Sequence, residues 1–255
     1  MRTKRFGFTL AEVLITLGII GVVAAMTIPT LISNTNSAKF KSQYKKTLST
    51  LNQAALMATA QYDLDYASIT GSGTCNASSK PDEVANVCAL FNGSLSGISY
   101  LGKLTTIKVA SNASGKGEDA GYKPTLTSKL ATTNMEAIQL ADGSMVVYNP
   151  KMAGCTLGVG GDVTALAAQG TPATEGKEAV AGSSCYGFID VNGTTLPNKE
   201  VTCSTAKSTT VSSTVGDCVV RNNATDMGDV FPVVFHDGTV EPITNAARYV
   251  LNQSK

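Results

Sequence analysis

The sequence predicts an α+β protein: a long N-terminal helix, membrane-spanning in its first half and amphipathic in its second, packed on a C-terminal antiparallel β-sheet. Three observations predict it. An apolar run from Phe8 to Ile32 covers 25 positions, against about 20 needed to cross a hydrocarbon core of roughly 30 Å. A stripe of apolar residues then continues at helical spacing to Tyr62. Beyond it, three Asx-Gly pairs interrupt runs of β-forming residues.

The first element is residues 1–7, a short leader with Arg2, Lys4 and Arg5. The second is residues 8–32, the membrane segment. Glu12 is the one ionisable residue in it. A carboxylate at that depth costs about 3 kcal/mol on insertion scales and is by default a functional group awaiting a partner. The span itself holds no cation. A secretory signal cut after Val23-Ala24-Ala25 is one alternative, but its apolar core would carry Glu12 and the apolar run outlasts the cut. An uncleaved signal anchor is another, with the leader cations kept in the cytoplasm. All of these readings export the bulk of the chain. Gly18 and Gly21 permit close approach of neighbouring helices.

Residues 33–66 continue the rod, which over residues 9–66 would reach about 87 Å. Phe40, Tyr44, Leu48, Leu51, Ala55, Ala58 and Tyr62 recur every three or four positions and form the stripe that should meet the exported domain. Lys39, Lys41, Lys45 and Lys46 cluster just past the span, to meet lipid headgroups, acids of a neighbour or simply solvent. Pro29 removes a helix hydrogen bond and should kink or loosen the rod.

Residues 67–255 read as an exported, disulfide-bonded, β-rich globular domain. Residues 67–130 are rich in Gly, Ser, Thr and Asn, with little regular strand expected beyond a turn and short helix near Lys80–Glu83. Hairpins are expected at Asp142-Gly143, Asn192-Gly193 and Asp237-Gly238. Residues 164–181 read as a surface insert. All six cysteines lie beyond the span, which suits an oxidising compartment. Of 15 pairings, Cys75–Cys88, Cys155–Cys185 and Cys203–Cys218 are favoured because each closes a short loop. With no C-x-x-C and one histidine, zinc is disfavoured.

The net charge is +1; taking Arg2, Lys4 and Arg5 from 20 cations leaves 17 against 19 acids, or −2. Neither value gives a nucleic-acid footprint. No P-loop, dinucleotide fingerprint or H-E-x-x-H occurs, and the lone His236 sits beside a turn. An enzyme is therefore not expected.

The stretch Gly7-Phe8-Thr9-Leu10-Ala11-Glu12-Val13-Leu14-Ile15 resembles the processing site of type IV prepilins and of type II secretion pseudopilins. The resemblance implies a pilin-like fold and cleavage between Gly7 and Phe8 by a prepilin peptidase. It also implies N-methylation of Phe8, and a filament in which Glu12 pairs with a neighbouring subunit's N-terminus. Partners would be copies of itself and related pilins. The place would be the bacterial cytoplasmic membrane, and after assembly a surface or periplasmic filament. Pro29 falls where these helices commonly carry proline. A membrane-anchored extracytoplasmic binding protein that never polymerises is the alternative. Asp190-x-Asn192-Gly193, Pro197-Asn198 and Gly228-Asp229-x-Phe231 also resemble a family pattern, here split by an insert. Some pseudopilins bind calcium in this region, which makes Asp190, Asn192, Asn198, Asp226 and Asp229 candidate oxygen ligands. Asx residues in turns are the ordinary alternative, and no other cofactor is expected.

Overall fold

The computed structural model describes residues 9–108, 122–128, 132, 134–157, 185–204 and 218–252. Helix α1 runs from Leu10 to Tyr62 without interruption at Pro29. At 1.5 Å per residue its 53 residues extend about 80 Å. It ends four residues before the expected Tyr66. Asp63 adopts a left-handed conformation there, and its N–H returns to the carbonyls of Ala58 and Thr59, which closes the helix.

Two layers follow. A six-stranded antiparallel meander holds β1 (Ser99–Lys103), β2 (Glu136–Gln139), β3 (Met145–Tyr148), β4 (Tyr186–Asp190), β5 (Val230–His236) and β6 (Thr239–Pro242) in sequence order. Short helices α2 (Val87–Ser94) and α3 (Asn245–Asn252) flank α1. Strand β1 is a departure from the expectation for residues 67–130. Its alternation is weak and a bulge lies between Tyr100 and Gly102, so it pairs only at the sheet edge.

The α1 stripe works as expected through Ala58. Phe40, Tyr44, Leu48, Leu51, Ala55 and Ala58 are buried on the sheet, and Tyr44 stacks on Phe231 at 4.1 Å between ring centroids. Tyr62 stays exposed, alongside Gly93 of α2. Polar contacts fix the docking: Asn52 Oδ1 accepts from the Val240 N–H at 2.6 Å, and Thr47 donates to Ser144 at 3.2 Å. Lys46 pairs with Asp142 at 3.0 Å.

The sheet is apolar on both faces. Val146, Tyr148, Ile189, Phe231, Val233 and Phe235 meet the helices, while Met145, Val147, Phe188, Val230 and Val234 form a second core with Leu104, Ile107 and Tyr122. The runs Met145–Tyr148 and Val230–Phe235 carry no polar alternation, the signature of a strand covered on both sides. Gly187 is required beneath that packing, because a Cβ there would lie 2.0 Å from the Val147 carbonyl oxygen.

Two of the three expected hairpins form: Asp142-Gly143 joins β2 to β3, and Asp237-Gly238 joins β5 to β6. Asn192-Gly193 does not. After it the chain makes consecutive turns, and β4 pairs instead with β3 and with β5, which begins at Val230. The glycine serves close packing, since a Cβ on Gly193 would sit 2.7 Å from the Gly143 carbonyl oxygen. The two Asx-Gly turns thus lie side by side.

The disulfides are Cys75–Cys88, Cys155–Cys185 and Cys203–Cys218, with Cα separations of 5.3, 5.7 and 5.2 Å. The first ties the loop before α2 to its first turn. The insert expected at 164–181 lies outside the described residues.

Candidate functional site

The site begins at the N-terminus of α1. Thr9 is the N-cap in extended conformation, and Glu12 is the third helical residue. The Thr9 hydroxyl accepts from the Glu12 N–H at 3.2 Å. Glu12 Oε2 accepts in return from the Thr9 N–H and from the Thr9 hydroxyl, each at 2.8 Å. This is a reciprocal capping box, and the carboxylate also faces the positive end of the helix dipole. Both bonds use Oε2; among the described residues no donor reaches Oε1. Gly7 and Phe8, the expected processing pair, lie outside the described residues. The spacing Thr9-x-x-Glu12 is itself a capping-box signature that motif comparison alone passed over.

Between Glu12 and Ile32 the helix is left largely uncovered by the described residues. Leu10, Leu14, Leu17, Ile20, Val23, Met26, Leu31 and other large apolar side chains from Leu10 to Ile32 are exposed. The most apolar 18-residue window of α1 has a mean hydropathy of 2.2, with none of it buried. The hydroxyls in the stretch turn inward: Thr16 donates to the Glu12 carbonyl at 2.9 Å, Thr27 to Val23 at 3.0 Å and Thr30 to Thr27 at 2.8 Å. Self-satisfied hydroxyls suit a lipid or helix-packed environment, where unpaired polar groups are costly. The segment is long and apolar enough to cross a membrane.

The second constellation lies at the far end of β4. Asp190, the last residue of β4, and Asp229, immediately before β5, are both fully buried. Tyr122 donates to Asp190 Oδ2, and the Asn192 N–H to Oδ1 at 3.2 Å. Asp229 Oδ2 accepts from the Asn198 N–H at 2.9 Å, and Oδ1 from the Lys199 N–H at 2.7 Å. Burial and the adjacent Asp229 push the Asp190 carboxyl well above its ordinary range. Burial likewise raises Asp229 against the backbone donors that oppose it.

Of the five candidate calcium ligands, Asp190, Asn192, Asn198 and Asp229 thus join one hydrogen-bonded cluster. Asp226 turns away to Arg221, at 2.6 Å. All four carboxylate oxygens of Asp190 and Asp229 already accept protein donors. The donor set therefore fits a hydrogen-bonded brace better than an oxygen cage for calcium, which would present open lone pairs. The brace holds a crossing: a Cβ on Gly228 would lie 1.9 Å from the Lys199 carbonyl oxygen, so the two backbones touch. Glu200 extends it by accepting from the Thr127 and Ser128 N–H groups at 2.6 and 2.9 Å. Nothing local in the sequence marks Tyr122 as a partner of Asp190, 68 positions away.

Residues 2–28 match the family model for the prokaryotic N-terminal methylation motif. The match supports a type IV prepilin-like family, a class of precursors that is structural rather than enzymatic. No curated protein and no solved structure matches the chain. The matched stretch contains Thr9, Glu12 and most of the apolar run, and the sheet lies beyond it.

Proposed function

We propose that this chain is a structural subunit of a type IV pilus-like filament or pseudopilus, with no catalytic role. A prepilin peptidase cuts between Gly7 and Phe8, and Phe8 becomes an N-methylated terminus. Residues 8–32 hold the subunit in the cytoplasmic membrane, with residues 67–255 outside, and then pack with other copies and related pilins. The observation that carries this reading is an exposed apolar helix whose lone carboxylate, Glu12, stands at its first turn within the methylation motif. The capping box supports it further. It orients the carboxylate through Oε2 and leaves Oε1 for a cation from a neighbour, the N-terminal ammonium that cleavage creates. Repeated head-to-tail contacts of this kind generate a fibre rather than a closed ring. Three disulfides in the exported part agree with an oxidising compartment.

Mass spectrometry of the native N-terminus tests the reading. A start at N-methyl-Phe8 is expected. An intact Met1 would favour a non-polymerising anchored protein, and a start near Met26 a secreted one; either would overturn the proposal.

A further inference from the structure

We propose that the cleft where α1 leaves the membrane segment binds one phospholipid headgroup, that of phosphatidylethanolamine. The inference rests on the membrane reading of residues 8–32. The cleft has a volume of about 590 Å³, within the range of small-molecule sites. Its rim begins at Pro29 and Ile32, the last residues of the apolar run, and its walls are the next turns of α1 and the paired Asx-Gly turns. The headgroup layer extends roughly 5–8 Å beyond the hydrocarbon on each side. With Ile32 at the hydrocarbon boundary, Asn36 stands about 6 Å and Lys39 about 10 Å above it. Helical side chains lean toward the N-terminus, so Lys39 reaches back toward that layer, while Gln43, about 16 Å above the boundary, meets only a headgroup raised out of the layer along the cleft.

The chemistry of the walls selects the ligand. Ile32, Phe40 and Leu196 supply apolar surface for the glycerol end. Lys39 offers a cation for the phosphate. Two amide oxygens on the walls, Gln43 Oε1 and Asn192 Oδ1, are buried, and among the described residues neither receives a hydrogen bond. Asn192 uses its Nδ2 to donate to the Leu196 carbonyl at 3.4 Å, which leaves its oxygen as the acceptor to be satisfied. A buried acceptor without a donor is costly. The terminal amide torsion of glutamine is soft, so its oxygen turns into the cleft easily. A primary ammonium is a donor that either oxygen can accept, while the Asp142 carboxylate on the same wall is already paired with Lys46. Phosphatidylcholine offers the same phosphate but no donor, and so is the discriminating control.

The full-length chain in nanodiscs of equal phosphatidylethanolamine and phosphatidylcholine, with identical acyl chains, is released into native mass spectrometry. Retained phosphatidylethanolamine should exceed phosphatidylcholine by about fivefold, the discrimination expected of one hydrogen bond. Gln43→Leu should lower that ratio. Lys39→Gln, on the exposed rim and without consequence for folding, should lower retention of both lipids. Equal retention of the two lipids, or an unchanged ratio in Gln43→Leu, overturns the proposal. So does a second copy of the chain cross-linking through a Gln43→Cys thiol in place of lipid. Flotation on phosphatidylcholine vesicles separates this proposal from its premise: a chain that fails to float removes both, and one that floats without selective retention removes the headgroup site alone.

Discussion

Glu12 has one observed role, in the helix cap, and one proposed role, in assembly, and both use the same carboxylate. Within the chain it completes a capping box with Thr9 through Oε2. Between chains, in the filament reading, its charge meets an ammonium. Substitution separates the two. Glutamine supports a capping box as glutamate does but carries no charge. Glu12→Gln and Glu12→Ala should both insert and be cleaved normally and both fail to enter filaments, as judged by immunoblot of the sheared filament fraction. Filament incorporation of Glu12→Gln at the native level would show that capping, not charge, is what assembly needs. Asp142 offers a pH test at the same scale. Burial pushes its carboxyl up, but donation from Ser144 and the Lys46 cation outweigh that and hold it below the ordinary range. Its folded value lies under its unfolded value of about 3.9. The stabilisation is therefore present above that pH and is lost as the pH falls through the folded value. Asp142→Asn should lower the melting temperature near neutral pH and lessen the fall in stability below about pH 4, measured by circular dichroism in detergent.

Helix α1 is one element serving two environments. Its first half presents apolar side chains in every direction, and its second half confines them to the face that the sheet covers. The transition is abrupt because the sheet begins to cover the helix only at Ser37 and Phe40. Tyr44, stacked on Phe231 and fully buried, sits at the centre of that contact. Tyr44→Ala should cost about 3–5 kcal/mol in denaturant unfolding of the detergent-solubilised chain, the usual range for truncating a buried aromatic. A loss under about 1 kcal/mol would mean that helix and sheet are held together mainly elsewhere. The helix, its stripe and two of the hairpins could be read from residue order, because each depends on neighbours three, four or two positions away. The third hairpin could not. Asn192-Gly193 has the right residues for a two-residue turn, but β4 found β5 from beyond the Cys203–Cys218 insert.

At the scale of the molecule, the sheet carries an apolar core on each face, and covalent and hydrogen-bonded ties add to that burial. Cys155–Cys185 closes 30 positions just before β4. Replacing both cysteines by serine should lower stability by about 2–4 kcal/mol, read as a shift in the denaturant midpoint, and an unshifted midpoint would deny the bond a stabilising role. The carboxylate brace around Asp190 and Asp229 makes the opposite kind of prediction. Because protein donors already engage its oxygens, a calcium chelator should leave the melting temperature unchanged; a clear drop would reinstate calcium. The residue order by itself determined the processing motif, the membrane-length helix, the amphipathic stripe and the economy of paired cysteines. These are local or periodic properties, and they survive without knowledge of the fold. Only the tertiary structure decided that Tyr122 reaches Asp190, that the sheet is buried on both faces and that two Asx-Gly turns form the wall of a cleft beside the end of the membrane segment. Those contacts join residues tens of positions apart, and loop closure across that separation depends on which strands pair rather than on any short spacing.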